Sequence, residues 1–108
     1  MIIIKSLYHG TVANGSTFSA SWDSDDNYNI KYIFIKADGN RTTKSTITIR
    51  INNVPITKDK ALCNTFGSNP EDAIELNIPL ERDRRIEIEG VNDEGADKLI
   101  TVELVLEK

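Results

Sequence analysis

The sequence predicts an all-β fold, a single antiparallel β-sandwich of about eight short strands that spans residues 1–108. Apolar and polar side chains alternate at a period of two in several segments, and this period places alternate residues on opposite faces of a strand. Turn-forming residues separate these segments. Helix is nearly absent, with at most one or two helical turns. Two sheets packed face to face bury the apolar sides of such strands, and the jelly roll is one topology that does so.

The predicted strands have the short spacing that is typical of sandwiches and barrels. The clearest alternation lies in residues 46–51, where Ile47, Ile49 and Ile51 share one face and polar residues share the other. The last strand has one fully apolar side and one mixed side, so we expect it to be at least half-buried. In chain order the strands are expected at residues 2–7, 17–22, 30–37, 43–51, 54–57, 74–78, 84–89 and 99–106.

Turn residues stand where a meander of strands needs them. Asp38-Gly39 accepts positive φ at both positions, which suits a tight hairpin into the strand at 43–51. Asn52-Asn53 predicts a second hairpin. Residues 68–72 combine a capping residue, a proline and acidic residues, which predicts one helical turn. Residues 92–97 form the last predicted surface loop.

The charge balance limits the classes of partner. Thirteen Lys and Arg residues against seventeen Asp and Glu residues give a net charge of −4, which opposes binding to nucleic acid or anionic lipid. The N-terminus lacks the regions of a signal peptide, and no apolar run approaches the roughly 20 residues of a membrane helix. We therefore expect a soluble chain with no nucleic-acid partner and no membrane span. Its compartment stays open, because a lone cysteine suits a reducing compartment and an extracellular particle alike.

No residue pattern indicates catalysis. His9 and Cys63 are the only residues of their kinds, and a thiol nucleophile needs an imidazole that the fold brings close. Cys63 stands beside Leu62 and near Phe66, which favours a buried, apolar role. The sequence has no Gly-x-Ser-x-Gly elbow, no phosphate-binding loop and no pair of histidines at metal spacing. We therefore expect a protein that is not an enzyme and that holds no zinc.

Residues 22–29 form the densest cluster of candidate metal ligands in the sequence. Asp23, Asp25 and Asp26 stand among asparagines, and together they supply the hard oxygen ligands that calcium prefers. Their spacing does not match the EF-hand loop, and Asp, Asn and Ser are also the residues that any turn selects. The turn is the simpler interpretation. A calcium site at these three aspartates is the alternative, and no other cofactor is expected.

Trp22 and Tyr28 lie in the same segment and form a candidate platform for a carbohydrate. A flat ring offers an apolar face to the C–H side of a pyranose, and nearby Asp and Asn side chains bind hydroxyl groups. Trp22 is also in phase with Phe18 and Ala20 on the preceding strand, which favours a place in the core. A carbohydrate-binding module that uses Trp22 and Tyr28, with or without calcium, is therefore the alternative function.

Two strands are apolar on both sides. Tyr32 and Phe34 share one face of a strand whose other face is also apolar, and Ile2 and Ile4 point away from the isoleucine between them. An antiparallel sheet normally leaves one face wet, so this pattern indicates a covering layer or another subunit. We expect these four residues to form a subunit interface. The alternative is that the loop at 58–69 covers them.

The order of elements resembles small β-sandwich subunits of virus and phage particles. The segments that carry this resemblance cover nearly the whole chain and read VANGSTFSASWDSDD, IKYIFIKADG, STITIRINNVPIT, IELNIPLERDRRIEIEGVND and LITVELVLE. Parts of the pattern also occur in carbohydrate-binding sandwiches. The resemblance implies assembly through sheet faces and loops, without catalysis, and it assigns no functional residue. It predicts a structural subunit of a virion, a capsid or capsid-associated protein that forms homo-oligomers or binds other particle subunits.

Overall fold

A computed structural model of the protein describes residues 1–57 and 60–108. These residues form ten strands and one short 3-10 helix at Cys63–Thr65. The strands are β1 (Ile2–Val12), β2 (Thr17–Asp23), β3 (Tyr28–Ala37), β4 (Asn40–Arg41), β5 (Thr46–Ile51), β6 (Val54–Pro55), β7 (Ala61–Leu62), β8 (Ile78–Leu80), β9 (Arg85–Val91) and β10 (Lys98–Glu107). Nowhere in the described ranges does a helix reach the length and apolarity that crossing a bilayer requires.

The strands form two antiparallel sheets. Sheet A has the order β1-β10-β3-β4, and β8 pairs with the same edge of β3 as β4. Sheet B has the order β2-β9-β5-β6, and β7 also pairs with β5. Apolar residues on the inner faces of both sheets form one core, as in a sandwich. The predicted all-β, antiparallel sandwich is confirmed.

The order of the strands is that of a jelly roll. β6 and β7 both pair with the edge of β5 that faces away from β9, so they act as one interrupted strand. With β4 left out, eight strands remain. Sheet A then contains the first, eighth, third and sixth of them, and sheet B contains the second, seventh, fourth and fifth. Successive strands alternate between the sheets in most of the chain, which is the double-sheet arrangement of a jelly roll.

The core is built mainly from isoleucine and leucine. Ile33 and Ile35 of β3, with Leu104 and Leu106 of β10, are almost fully buried in sheet A. In sheet B, Phe18 pairs with Gly90, and its ring fills the space where a side chain at position 90 would lie. A Cβ atom at that position would lie 2.3 Å from the Phe18 ring, so this packing requires glycine.

Both predicted hairpins are confirmed. Asp38 and Gly39 have φ values of 51° and 77°, and Asn52 and Asn53 have values of 52° and 64°. Positive φ at both central residues is what a two-residue hairpin turn of the type I′ class requires. The first hairpin differs from the expectation in one respect, because it leads into β4. The chain then crosses from sheet A to β5 of sheet B.

Several predicted boundaries are wrong. β1 continues to Val12, and β5 starts at Thr46. Residues 74–77 are not a strand but run along the edge of β3, where the backbone N–H of Leu76 donates to the Lys31 carbonyl at 2.8 Å. The loop at 92–97 is not wholly on the surface, because Asn92 is fully buried. In the predicted helical turn, the Asn69 carbonyl accepts from the N–H groups of Asp72 and Ala73, at 3.3 and 3.1 Å.

Candidate functional site

The outer faces of the two sheets differ in chemistry. The outer face of sheet B is polar, and two shallow grooves on it are lined mostly by hydroxyl-bearing and charged side chains. The residues on this face include Thr17, Ser19, Ser21, Thr46, Thr48, Arg50, Glu87 and Glu89. Such a face is the wet side that an antiparallel sheet normally has.

The outer face of sheet A is apolar at its centre. Val105 of the central strand β10 pairs with Ile4 on one side and with Tyr32 on the other, so the three side chains form a row across the sheet. Ile2 and Phe34 lie on the same face, beside this row. We call Ile2, Ile4, Tyr32, Phe34 and Val105 the apolar face of sheet A. The structure thus brings together all four residues that the sequence analysis assigned to an interface.

Exposure is unevenly distributed over the apolar face of sheet A. Ile2 is 54% exposed and Ile4 is 61% exposed, whereas Phe34 is 9% and Val105 is 8% exposed. The rings of Tyr32 and Phe34 stack with their centroids 5.6 Å apart, and Tyr32 is half-buried. Ile2, Ile4 and Tyr32 therefore provide most of the surface available to a partner.

Ion pairs flank the apolar face of sheet A. The Lys36 ammonium lies 3.3 Å from the Glu103 carboxylate, and the Lys31 ammonium lies 3.2 Å from the Glu107 carboxylate and 3.8 Å from that of Glu75. The hydrogen bond to Glu107 and the charges of Glu107 and Glu75 raise the pKa of Lys31. Each lysine thus has an acidic neighbour, so the rim of the face carries paired charges.

The described part of the loop at 58–69, which was the alternative to a partner as cover for this face, lies at the edge of β3. Lys58 and Asp59 are outside the described residues. In the rest of the loop, the Gly67 carbonyl accepts a 3.0 Å hydrogen bond from the backbone N–H of Ile35. Ile2 and Ile4, at the other end of the sheet, stay more than half exposed. The described part of the loop therefore leaves the β1 end of the face uncovered.

The three aspartates of the candidate calcium site point to partners within the chain. Asp23 accepts two hydrogen bonds, of 2.7 and 3.3 Å, from the Arg85 guanidinium, which lower its pKa. Asp25 accepts a 2.8 Å hydrogen bond from the Tyr28 hydroxyl. Asp26 pairs with Lys108 and Arg82, and the hydrogen bond from Lys108 is the main cause that lowers its pKa. Within residues 1–57 and 60–108, no three acidic, His or Cys side chains form a group that could hold a metal ion. Calcium binding stays a prediction.

The two rings of the candidate carbohydrate platform are neighbours. The centroids of Trp22 and Tyr28 are 6.1 Å apart and their planes are inclined by 33°. Both side chains are half-buried and pack against the core. The Lys5 ammonium lies 5.4 Å from the Trp22 ring centroid, which is a cation–π distance. This contact occupies part of the ring surface that a sugar would use.

His9 and Cys63 do not form a catalytic pair. His9 is exposed, and its Nδ1 atom lies 3.1 Å from the Thr101 hydroxyl oxygen. Cys63 is fully buried in the core, as predicted, and burial raises the pKa of its thiol to about 12. The thiol is therefore protonated near neutral pH and is not a reactive nucleophile.

Val105 is a member of the apolar face of sheet A that was not predicted from the sequence. Its side of the last strand also carries Thr101 and Glu103, so the pattern marks that side as mixed and does not single out one valine. The pairing of Val105 between Ile4 and Tyr32 depends on strand register. Register between distant segments is not readable from local alternation.

No protein family, curated protein or solved structure in our comparisons matches this chain. The resemblance to virus and phage sandwich subunits therefore stays a prediction. The chemistry of the two outer faces is the main basis for a functional proposal, because a sandwich fold by itself hosts many functions.

Proposed function

We propose that the protein is a non-enzymatic structural subunit that self-associates through the apolar face of sheet A. The single observation that carries this proposal is the contrast between the two outer faces of one sandwich. The outer face of sheet B is polar, whereas that of sheet A presents Ile2, Ile4 and Tyr32 around the buried Val105. Exposed apolar clusters with a polar rim are typical of sites of protein association.

The dimensions of the face suit a subunit contact. Ten residues of β10 at ~3.3 Å each and about four strand widths of ~4.8 Å give an area of roughly 600 Å². An interface of ordinary size buries about 800 Å² on each partner. The whole outer face of sheet A, in which Glu103 and Glu107 lie on either side of Val105 along β10, is thus large enough to provide most of one such contact. The flanking pairs Lys36–Glu103 and Lys31–Glu107 can form the polar rim of that contact.

We place this subunit in a virion, as a capsid or capsid-associated protein. The support is the resemblance to virus and phage sandwich subunits together with the jelly-roll strand order, because jelly rolls serve as viral capsid domains. The occupant of the face is then a second copy or another subunit of the particle. Fractionation of infected cells and purified particles tests this assignment. Absence of the protein from these fractions would contradict a role in a virion.

The test of self-association is the mass in solution, measured by light scattering after size exclusion over a concentration series, with and without calcium. We expect a mass that rises with concentration, and a lower mass for the Ile4→Ser variant. Val54→Ser is the matched control, because Val54 is 62% exposed but lies at the β5–β6 hairpin of sheet B. A monomer at every concentration up to high micromolar would overturn the proposal.

A carbohydrate-binding module is the second candidate. The observation in its favour is the proximity of Trp22 and Tyr28, with centroids 6.1 Å apart, beside the acidic segment with Asp23, Asp25 and Asp26. A glycan array in the presence and absence of calcium tests it. Glycan binding by the wild type that is lost in Trp22→Ala would support this candidate. If the protein binds no glycan on the array and no calcium in a titration, this candidate is excluded.

A further inference from the structure

β1 is an open edge of sheet A. Among the described residues it pairs with β10 alone, along its whole length from Ile2 to Val12. The opposite edge of the sheet is closed differently, because β3 pairs with β4 and β8 and also bonds to Gly67 and Leu76. An open edge presents unpaired N–H and C=O groups to which another strand can add.

The direction of the backbone groups of β1 follows from the bonds at its start. The Met1 and Lys108 backbones exchange hydrogen bonds, with N···O distances of 3.4 and 3.0 Å. In an antiparallel pair such hydrogen-bonded positions alternate with positions whose N–H and C=O point away. Ile3 and Lys5 therefore bond to β10, and the backbone groups of Ile2, Ile4 and Ser6 point to the open side.

Two features limit the straight part of this edge to its first residues. The pairing with β10 shifts between Ser6 and Tyr8, so a bulge ends the regular edge there. Lys5 faces inward, on the side of its partner Leu104, and its ammonium lies over the Trp22 ring. Bulges and inward charges are devices that protect an edge from uncontrolled pairing. They leave residues 2–6 as the segment that can accept a strand.

The other long edge, β2 of sheet B, is less suited to accept an added strand. Its outer side carries Ser19, Ser21 and Asp23, and Asp23 is held by Arg85. At β1, in contrast, the same residues that direct their backbone outward, Ile2 and Ile4, also expose more than half of their apolar side chains. Of these two long edges, β1 is therefore the one at which backbone pairing and apolar burial coincide.

We propose that two copies of the chain join by antiparallel pairing of β1 with β1, with Ile4 opposite the second copy's Ile4. This inference rests on the proposed self-association and adds to it a contact at the edge of sheet A, which extends the sheet and leaves its outer face open to a further contact. Ile2 then pairs with the second copy's Ser6, and all outward backbone groups of residues 2–6 find partners. The row Ile4, Val105, Tyr32 continues across the junction into the same row of the second copy. The occupant is a second copy because this register is self-complementary and brings no two charged side chains together on the outer face.

The first test separates backbone pairing from side-chain contact at one position. Ile4→Pro removes the outward N–H, and it leaves the β1–β10 ladder intact because that N–H does not bond to β10. Ile4→Ala removes the side chain and keeps the N–H. We expect the dissociation constant of Ile4→Pro to exceed that of Ile4→Ala by about tenfold or more, because two hydrogen bonds at the centre of the junction are lost. Unchanged circular dichroism and melting temperature of each variant show that it is folded.

The second test is a disulfide cross-link at the same centre. In a Cys63→Ala background, Ile4→Cys places two thiols on strands whose Cα atoms are about 5.5 Å apart, within the range that a disulfide spans. Ile2→Cys is the matched control, with similar exposure, because in this register the two copies of position 2 lie about four residues apart along the strands. We expect an oxidised dimer from Ile4→Cys and none from Ile2→Cys.

The outcomes distinguish the two proposals. A wild-type protein that stays monomeric at all concentrations overturns both. A protein that self-associates while Ile4→Pro matches Ile4→Ala, or while both cysteine variants cross-link equally, overturns the β1 pairing. Self-association through the apolar face of sheet A then still stands.

Discussion

The Glu94 carboxylate accepts a 2.6 Å hydrogen bond from the Ser45 hydroxyl. The same carboxylate accepts backbone N–H bonds from Thr43, Lys44 and Ser45, at 2.8 to 3.1 Å. It thereby joins the loop between β9 and β10 to the crossover between the two sheets, just before β5. Partial burial acts to raise the pKa of Glu94, but the bonds from Ser45 and its neighbours outweigh it and lower the pKa to about 2.

We expect the free energy of unfolding to fall in acid because of Glu94. Its pKa is lower in the folded chain than the ordinary value of 4.5, so the stabilisation is complete above about pH 4.5 and is lost as the pH falls toward 2. Because the carboxylate keeps some contact with solvent, we expect a loss of about 2 kcal/mol, less than the full pKa shift implies. Urea unfolding from pH 7 to pH 2 measures it, with Glu94→Gln as the comparison. If wild type and Glu94→Gln lose stability in parallel over this range, the carboxylate is not the cause.

The buried Asn92 side chain also joins separate segments at the Glu94 end of the sandwich. We expect its replacement by alanine to destabilise the fold. Its side-chain NH₂ donates to the carbonyls of Val12 and Ala96 at 2.7 and 3.0 Å, and its oxygen accepts from the Glu94 N–H at 3.1 Å. We expect Asn92→Ala to lower the free energy of unfolding by about 3 kcal/mol, because buried groups lose their partners. Asn40→Ala, at an exposed position of β4, is the control and should change little in the same urea titration.

Thr42 and Thr57 should respond in opposite ways to valine. Both are buried, but the Thr42 hydroxyl has no hydrogen-bond partner among the described residues, whereas the Thr57 hydroxyl oxygen accepts from the Ile49 N–H at 3.3 Å. Thr42→Val removes an unpaired polar group, so we expect a gain of up to about 1 kcal/mol. Thr57→Val leaves the Ile49 N–H unpaired, and we expect a loss of about 1 kcal/mol or more. Thermal melts of the two variants compare these effects, and a destabilised Thr42→Val would show that its hydroxyl has a partner.

Neighbouring residues of β5 should differ sharply in their tolerance of a charge. Ile49 is fully buried in the core, and Thr48 is on the outer face of sheet B beside Glu89. We expect Ile49→Lys to unfold the domain, because it places an unpaired charge in the core. Thr48→Lys should change the stability by less than about 0.5 kcal/mol. Circular dichroism and solubility distinguish the two, and a folded, soluble Ile49→Lys would mean that the faces of β5 are reversed.

The fold class was predictable because its signals are local. The alternation around Ile47, Ile49 and Ile51 and the turn pairs Asp38-Gly39 and Asn52-Asn53 each need only a few adjacent residues. The start of β5 was not predictable in this way. Residues 43–45 directly precede the alternating run and were expected to belong to its strand, but their N–H groups bond to Glu94, about fifty positions later in the chain. The strand therefore begins only at Thr46.

For the candidate site, too, the sequence predicted which residues share a face but not how exposed or how paired they are. Two-sided apolarity marked Ile2, Ile4, Tyr32 and Phe34, and the sheet places all four on one face. Their unequal exposure depends on packing, which alternation does not contain. In the same way, the pairing of Asp23 with Arg85 joins residues 62 positions apart, so the acidic segment alone indicated calcium ligands without showing their cationic partners.

The place of β10 between β1 and β3 determines how the chain must fold. Ile2 pairs with Glu107, and Ile33 pairs with Leu104, so the central strand of sheet A comes from the far end of the chain. Pairings between such distant segments require closure of long loops, and folds dominated by them form in milliseconds to seconds rather than microseconds. Until β10 docks, both of its neighbours keep their apolar residues in water. The nascent chain is therefore most open to aggregation through these strands before its last strand is in place.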